Sequence, residues 1–88
     1  MVSLKKEVDY VRAFLQLQRL RYGETLEIIY HIDEETLGSQ VPFNFLQPIV
    51  ENAFIHGFDQ CVRKKLKLVI DGEGGRIGIK IINSGRQL

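Results

Sequence analysis

The sequence predicts an α+β chain, an α/β sandwich in the order helix, strand, helix, β-hairpin. Three observations predict it. Apolar residues recur at helical spacing from Ser3 to about Tyr22. They alternate with a period of two from Leu26 to Asp33 and again from Leu66 to Ile82. The second alternating stretch is broken by Asp71-Gly72-Glu73-Gly74-Gly75, a run rich in turn-forming residues.

In the first segment Ser3 is placed to cap the helix, its hydroxyl accepting from an unpaired N–H of the first turn. Leu4, Val8, Val11 and Leu15 follow at steps of four, three and four, which puts them on one narrow stripe. Tyr10, Phe14 and Leu17 form a second stripe, and Lys5, Asp9, Arg12, Gln16 and Arg19 a polar face. Two stripes suggest two packing partners, the 4-3-4 seam suiting a bundle neighbour; one broad core face is the alternative. Gly23 stands where a left-handed residue closes a helix.

Leu26, Ile28, Tyr30 and Ile32 should share one face of the first long strand, with Glu27, Ile29, His31 and Asp33 on the other. Glu34 to Gln40 reads as a loop, and Val41-Pro42 as extended, since a residue before proline avoids the helical region. The second helix is expected from about Asn44 to His56, with Gly57 ending it. Pro48 lies early in it, where a missing N–H costs least. Phe45, Leu46, Ile49, Val50, Ala53 and Phe54 would make its apolar face, with Pro48, Glu51, Asn52 and Ile55 pointing away. The hairpin follows, giving a three-stranded sheet with helices on one side.

With 88 residues, 44% hydrophobic and 26% charged, the chain has an ordinary globular composition for one small domain or part of a larger one. A net charge of +1 gives no global basic excess, so nucleic acid is not an expected partner. The single cysteine, Cys61, can form no internal disulfide and reads as a small semi-buried apolar residue. No apolar run approaches ~18 residues, and no signal peptide opens the chain. His31 reads as an ordinary edge or surface histidine. The basic run Arg63, Lys64, Lys65 and Lys67 reads as a solvated face. Phe43, Phe45, Phe54 and Phe58 read as core or flank packing.

The stretch that carries chemistry is Leu46 to Phe58, LQPIVENAFIHGF. It sets a carboxylate, a carboxamide and an imidazole within two turns of a helix whose back is core. An amide oxygen is a hard ligand suited to Mg²⁺, which keeps several waters and borrows phosphate oxygens. Glu51 lies beside Asn52 in sequence but ~100° around the helix.

LQPIVENAFIHG resembles the N box of sensor histidine kinases of the LytS/YesM type, members of the ATPase superfamily shared with DNA gyrase and MutL. The preceding SLKKEVDYVRAFLQLQRLRYGETLEI is similar to the segment before that box in the same family. The resemblance implies a truncated histidine-kinase-like ATPase fold. Residues 1–23 would be the C-terminal helix of a dimerisation hairpin, and residues 24–88 the N-terminal part of the ATPase domain. It implies ATP and Mg²⁺ as cofactors. Asn52 would bind the metal, and Glu51, the acidic residue before it, would stand in the catalytic role. His56 would lie near the nucleotide. Ile55 stands where many relatives carry a phosphate-binding lysine. Asn83-Ser84-Gly85-Arg86-Gln87 falls where the family has an aspartate-x-glycine-x-glycine pattern that reads adenine, so Asn83 and Gly85 are cofactor-binding candidates. Asn83 replaces the aspartate and Gln87 the second glycine. A neutral amide accepts a weaker bond than a carboxylate, charge-assisted bonds being roughly twice as strong.

By the same resemblance, the parent protein would be a two-component protein-histidine kinase. It would be a homodimer anchored in the bacterial plasma membrane with this part in the cytoplasm, and it would pass phosphate to a response regulator. The 88 residues alone should be inactive, since the phosphoacceptor histidine would precede Val2 and the lid would follow Leu88. A degenerate, non-catalytic dimerisation module is one alternative, favoured by Ile55, Asn83 and Gln87; a small α/β domain with no ligand, Glu51 and Asn52 being a solvated helix face, is the other.

Overall fold

A computed structural model describes residues 1–57 and 61–87. The elements are β1 (Val2–Ser3), α1 (Leu4–Tyr22), β2 (Leu26–Ile32), β3 (Gln40–Val41), α2 (Leu46–Gly57), β4 (Cys61–Glu73) and β5 (Arg76–Gln87), with single 3-10 turns at Gly23–Thr25 and Glu34–Thr36. The main sheet has the order β2-β4-β5. β2 runs parallel to β4, with Leu26 opposite Lys64 and Ile32 opposite Ile70, and β4 and β5 form an antiparallel hairpin. Parallel neighbours need a long crossover, and α2 lies within it.

Leu26, Leu66, Leu68 and Ile70 are buried on one face of the sheet, against Leu4, Val8, Val11 and Leu15 of α1 and Leu46, Val50 and Phe54 of α2. Both helices therefore cover the same face, as the alternation requires. Each fully buried leucine is worth about 2–3 kcal/mol relative to exposure. The 4-3-4 seam of α1 is consumed by the chain's own core, while in the second stripe Tyr10 is 53% and Leu17 64% exposed. Phe14 alone of that stripe turns inward, meeting the Phe54 ring edge-on at 5.9 Å.

The turn between β4 and β5 is Gly74-Gly75, with φ of +60° and +80°. Two consecutive positive φ values match the right-handed twist of a two-residue hairpin, and glycine adopts them without strain. Ser3 caps α1 as expected, its Oγ accepting from Lys6 N at 3.3 Å. Gly23 ends the helix at φ +61° but ψ −137°. That lies outside the left-handed helical region, in a part of conformational space that glycine alone occupies readily.

The segment read as a loop is more ordered than alternation could reveal. Asp33 caps the turn Glu34–Thr36, its carboxylate accepting from Glu35 N at 3.1 Å. β3 then pairs antiparallel with β1, Val2 opposite Val41 and Ser3 opposite Gln40. Leu4 N and Lys5 N, two of the unpaired donors at the start of α1, bond to Ser39 O at 2.8 Å and Leu37 O at 2.9 Å. Two-residue strands are too short for a period to show.

α2 begins at Leu46, two residues later than the sequence predicts. Asn44 instead takes φ +56°, a left-handed value that asparagine tolerates. The reason is Glu7 on α1. Its side chain is only 3% exposed, and its two oxygens accept from Asn44 N at 3.0 Å and Leu46 N at 3.3 Å. The α2 N-terminus is thus capped by a carboxylate from another helix, which also suits the positive end of the helix dipole. Pro48 falls in the first turn of α2, where its absent N–H leaves no bond unmade. Two other readings differ. Phe43 is 64% exposed and Ile49 53% exposed, so neither is core. Ile49 sits ~100° around α2 from the centre of the Leu46–Val50–Phe54 stripe.

Removing this cap has a defined cost. Glu7→Ala strands two backbone donors and should lower unfolding free energy by about 2–3 kcal/mol, with Glu7→Gln costing less because one acceptor survives. Urea unfolding followed by circular dichroism measures both. Stabilities of Glu7→Ala and the parent chain that agree within error would show the cap to be idle.

Candidate functional site

Asn52 and Pro48 occupy the side of α2 opposite Leu46, Val50 and Phe54, and both are exposed. The ~100° step places them ~160° from the centre of the buried stripe, as far from the core as the helix allows. Glu51 is half-buried rather than fully outward. Gln47 Nε2 donates to Glu51 Oε1 at 3.0 Å, an (i, i+4) pair that fixes the carboxylate along the flank of the helix. The two candidates therefore differ in freedom: Asn52 is presented to solvent, and Glu51 is held.

The strand side of the site comes from β5. Asn83 lies opposite Leu66 in the hairpin register, and Leu66 faces the helices. Asn83 shares that face, and its Nδ2 donates to Ala53 O on α2 at 3.0 Å. Ala53 is the residue after Asn52, so the two amides flank one turn of α2. A side chain that must give a proton to a backbone carbonyl cannot be an ionised carboxylate. Asn83 is thus used as a donor, a role that an ionised aspartate at this position could not fill.

His56 and Ile55 lie within α2, but their side chains are outside the described residues, as are those of Gln87 and Cys61. Gly85 is placed by its backbone alone, opposite Lys64 in the hairpin. Phe58 is outside the described residues altogether. His31 is exposed, as read. In the basic run Arg63 and Lys65 are exposed, whereas Lys64 is half-buried with its ammonium 4.7 Å from the Tyr22 ring centre.

Among the described residues no group of three or more histidine, cysteine or acidic side chains is placed to share a metal ion. The donor set around Asn52 is one exposed amide oxygen, with the Glu51 carboxylate tied to Gln47. That set suits a cation which brings most of its own ligands, as Mg²⁺ does with water and phosphate oxygens, and does not suit an all-protein cage. Among the described residues no helix is long and apolar enough to cross a membrane.

Two polar residues escaped the sequence reading. Gln47 had a legible signal, its (i, i+4) spacing to Glu51. Glu7 had a subtler one: it is three residues after Leu4 and four before Val11, a carboxylate on the stripe that proved to be core.

No family model matches the chain. It is 33% identical over 85 residues to the sensor histidine kinase YpdA of Escherichia coli, covering 96% of this chain and 15% of that protein. It is 33% identical over 87 residues to the sensor histidine kinase BtsS of the same species, covering 99% and 14%. With the sensor histidine kinase YesM of Bacillus subtilis it shares 34% identity over 62 residues, 70% of this chain and 11% of that protein. The chain thus spans about one seventh of the length of the first two relatives.

Asn83 offers a direct test of the geometry. Asn83→Asp should destabilise the chain by about 1–3 kcal/mol at pH 7, because two acceptors then face each other across 3.0 Å. Burial beside a carbonyl holds the new carboxyl above the usual carboxylate range. The deficit is therefore fully present above that raised value and shrinks as pH falls through it, where the protonated acid can donate. Unfolding curves at pH 7 and pH 4 read this out; equal stability of the two chains at pH 7 would remove the proposed donor role.

Proposed function

Because this chain is related across nearly its whole length to sensor histidine kinases of the LytS/YesM type, we propose that it supplies the N-box side of an ATP-binding site for histidine autophosphorylation. The observation that carries this reading is Asn52. It is the one exposed side chain of the VENA run, Val50–Ala53, and it is carried on a helix whose opposite face is sealed against the sheet.

On this reading Asn52 Oδ1 contributes one ligand to Mg²⁺, and the phosphates and water supply the rest. The cation would screen the charge on the phosphate oxygens, which is the main catalytic demand of such transfers. Glu51, oriented by Gln47, would serve as the acidic catalytic residue. His56 and Gly85 are assigned to the nucleotide pocket through the resemblance. Asn83 keeps an amide oxygen of the acceptor type that the adenine amine requires, but without charge, so adenine recognition would be weaker than with aspartate. Domain roles follow the same reading. Residues 1–23 would contribute to a dimerisation hairpin and residues 24–88 to the ATPase domain. The partners would be a second copy and a response regulator, reached through a cytoplasmic portion of a membrane-anchored parent.

A non-catalytic dimerisation module is the second reading, and one observation favours it. One N–H of the Asn83 amide is spent on Ala53 O, a structural bond that a nucleotide pocket does not need. The exposed Tyr10, Leu17 and Leu20 on α1 would serve either reading as a seam for another copy.

Titration with ATP, with and without Mg²⁺, separates the two by following the side-chain amide resonances of Asn52 and Asn83. The 88-residue chain should not autophosphorylate. It should show weak, magnesium-dependent shifts of both amides, and Asn52→Ala should abolish the shift at Asn83. Shifts that persist in Asn52→Ala, or no response at millimolar nucleotide, would favour the module.

A further inference from the structure

β2 lies at the end of the main sheet, and among the described residues it pairs with β4 alone. Its outer edge therefore presents a row of backbone donors and acceptors along the seven residues Leu26–Ile32. Natural edges are usually blunted by lysine, proline, bulges or short length. The sequence LEIIYHI has neither lysine nor proline, and its register with β4 is unbroken.

α1 overhangs this edge. A groove of about 320 Å³ runs between them, lined by Arg12, Gln16, Arg19 and Leu20 of the helix and by Ile28 and Tyr30 of the strand. The four helix residues fall at steps of four, three and one, so they form one ridge along the groove. Arg12 is held in place, its guanidinium 4.5 Å from the Tyr30 ring centre. Arg19 is held by its Nε, which donates to Gly23 O at 3.1 Å. Burial raises the Tyr30 phenol above its ordinary 10.0, with Arg12 pulling it back, so Tyr30 is neutral at pH 7 and the groove's charge is that of the two arginines. None of the six lining residues is acidic.

We propose that this groove takes up an extended, acidic segment of a partner protein, which adds to the sheet as a strand beside β2. Main-chain bonds along the edge would give affinity, and side chains on alternate positions would give specificity. Carboxylates spaced two residues apart on the added strand repeat every ~6.7 Å on its helix-side face. Arg12 and Arg19 are ~10.5 Å apart along α1, within reach of two such carboxylates for side chains of that length. Residues on the opposite face of the added strand would meet Ile29, which is half-buried between the exposed Glu27 and His31 on the face away from the helices. An alternating acidic and β-branched sequence meets both demands. This inference does not depend on the nucleotide site, which lies on α2 and β5.

A fluorescein-labelled octapeptide of alternating valine and glutamate is the probe, with the valine–lysine octapeptide as control, read by fluorescence anisotropy against the full chain. The glutamate peptide should bind at least tenfold more tightly than the lysine peptide. Arg12→Glu/Arg19→Glu, at two exposed positions, should weaken it at least tenfold while the circular dichroism spectrum stays unchanged. Two further glutamate peptides, N-methylated on alternate amides in one register or the other, distinguish strand addition from simple charge attraction. One register should lose binding and the other retain it. Equal binding of both methylated peptides, indifference to the charge reversal, or displacement of the peptide by an oligothymidylate of the same length would overturn the proposal. So would self-pairing of the chain through β2 that excludes the peptide.

Discussion

The arrangement hangs on a carboxylate buried between two helices. Placing an ion at 3% exposure is costly unless its oxygens are bonded, and Glu7 meets that demand with two backbone N–H groups at the start of α2. The same bonds solve a second problem. The residue before α2 is Phe45, which has no side-chain acceptor, and Asn44 is turned to positive φ and cannot cap in the ordinary way. Local sequence provides no cap, so a residue 37 to 39 positions away provides it. The bond fixes where α2 begins and therefore which of its residues face outward. If α2 were one residue out of register, Asn52 would rotate ~100° and lose its outward position.

Much of the architecture was legible because periodicity is a direct record of burial. The even-numbered strand positions Leu66, Leu68 and Ile70 announced a sheet face, and Gly74-Gly75 announced the turn that joins β4 to β5. What periodicity cannot record is pairing between short segments. β1 and β3 contribute two residues each, and their bond pattern is set by the chain path around the start of α1. The division of α1 was also ambiguous from spacing alone. Two apolar stripes look alike in sequence, and only the presence of Phe54 and the sheet decides that Leu4, Val8, Val11 and Leu15 go inside while Tyr10 and Leu17 stay out.

The placement of the candidate residues on α2 was largely legible in the sequence, and their bonding was less so. Asn52 stands where the helical pattern puts it. Glu51 lies on the flank, ~100° from the centre of the buried stripe, and Gln47 holds its carboxylate there. Asn83 is the instructive case. Read as a substitution within a nucleotide-binding pattern, it looks like a loss of charge. In the fold it is a gain of a donor, since Asn83 Nδ2 donates to Ala53 O, which aspartate could not do at neutral pH. The opposing readings come from the two ends of one amide, and the bond to Ala53 commits the nitrogen end while leaving the chemistry of the oxygen end intact.

These contacts give α1 three surfaces, the two outer ones meeting at Leu20. One lies in the core and carries Glu7; one is the exposed run of Tyr10, Leu17 and Leu20; one is the arginine ridge above β2. A helix is stiff, so any movement of α1 as a body would carry Glu7 with it. The bonds from Asn44 N and Leu46 N are 3.0 and 3.3 Å long, and hydrogen bonds weaken steeply once stretched or bent. A small rotation or slide of α1 therefore cannot leave the first turn of α2 untouched. The cap must follow the helix or break, and either outcome is felt at the helix that presents Asn52. Coupling of this kind needs no long pathway, because a single side chain spans the distance between the two helices.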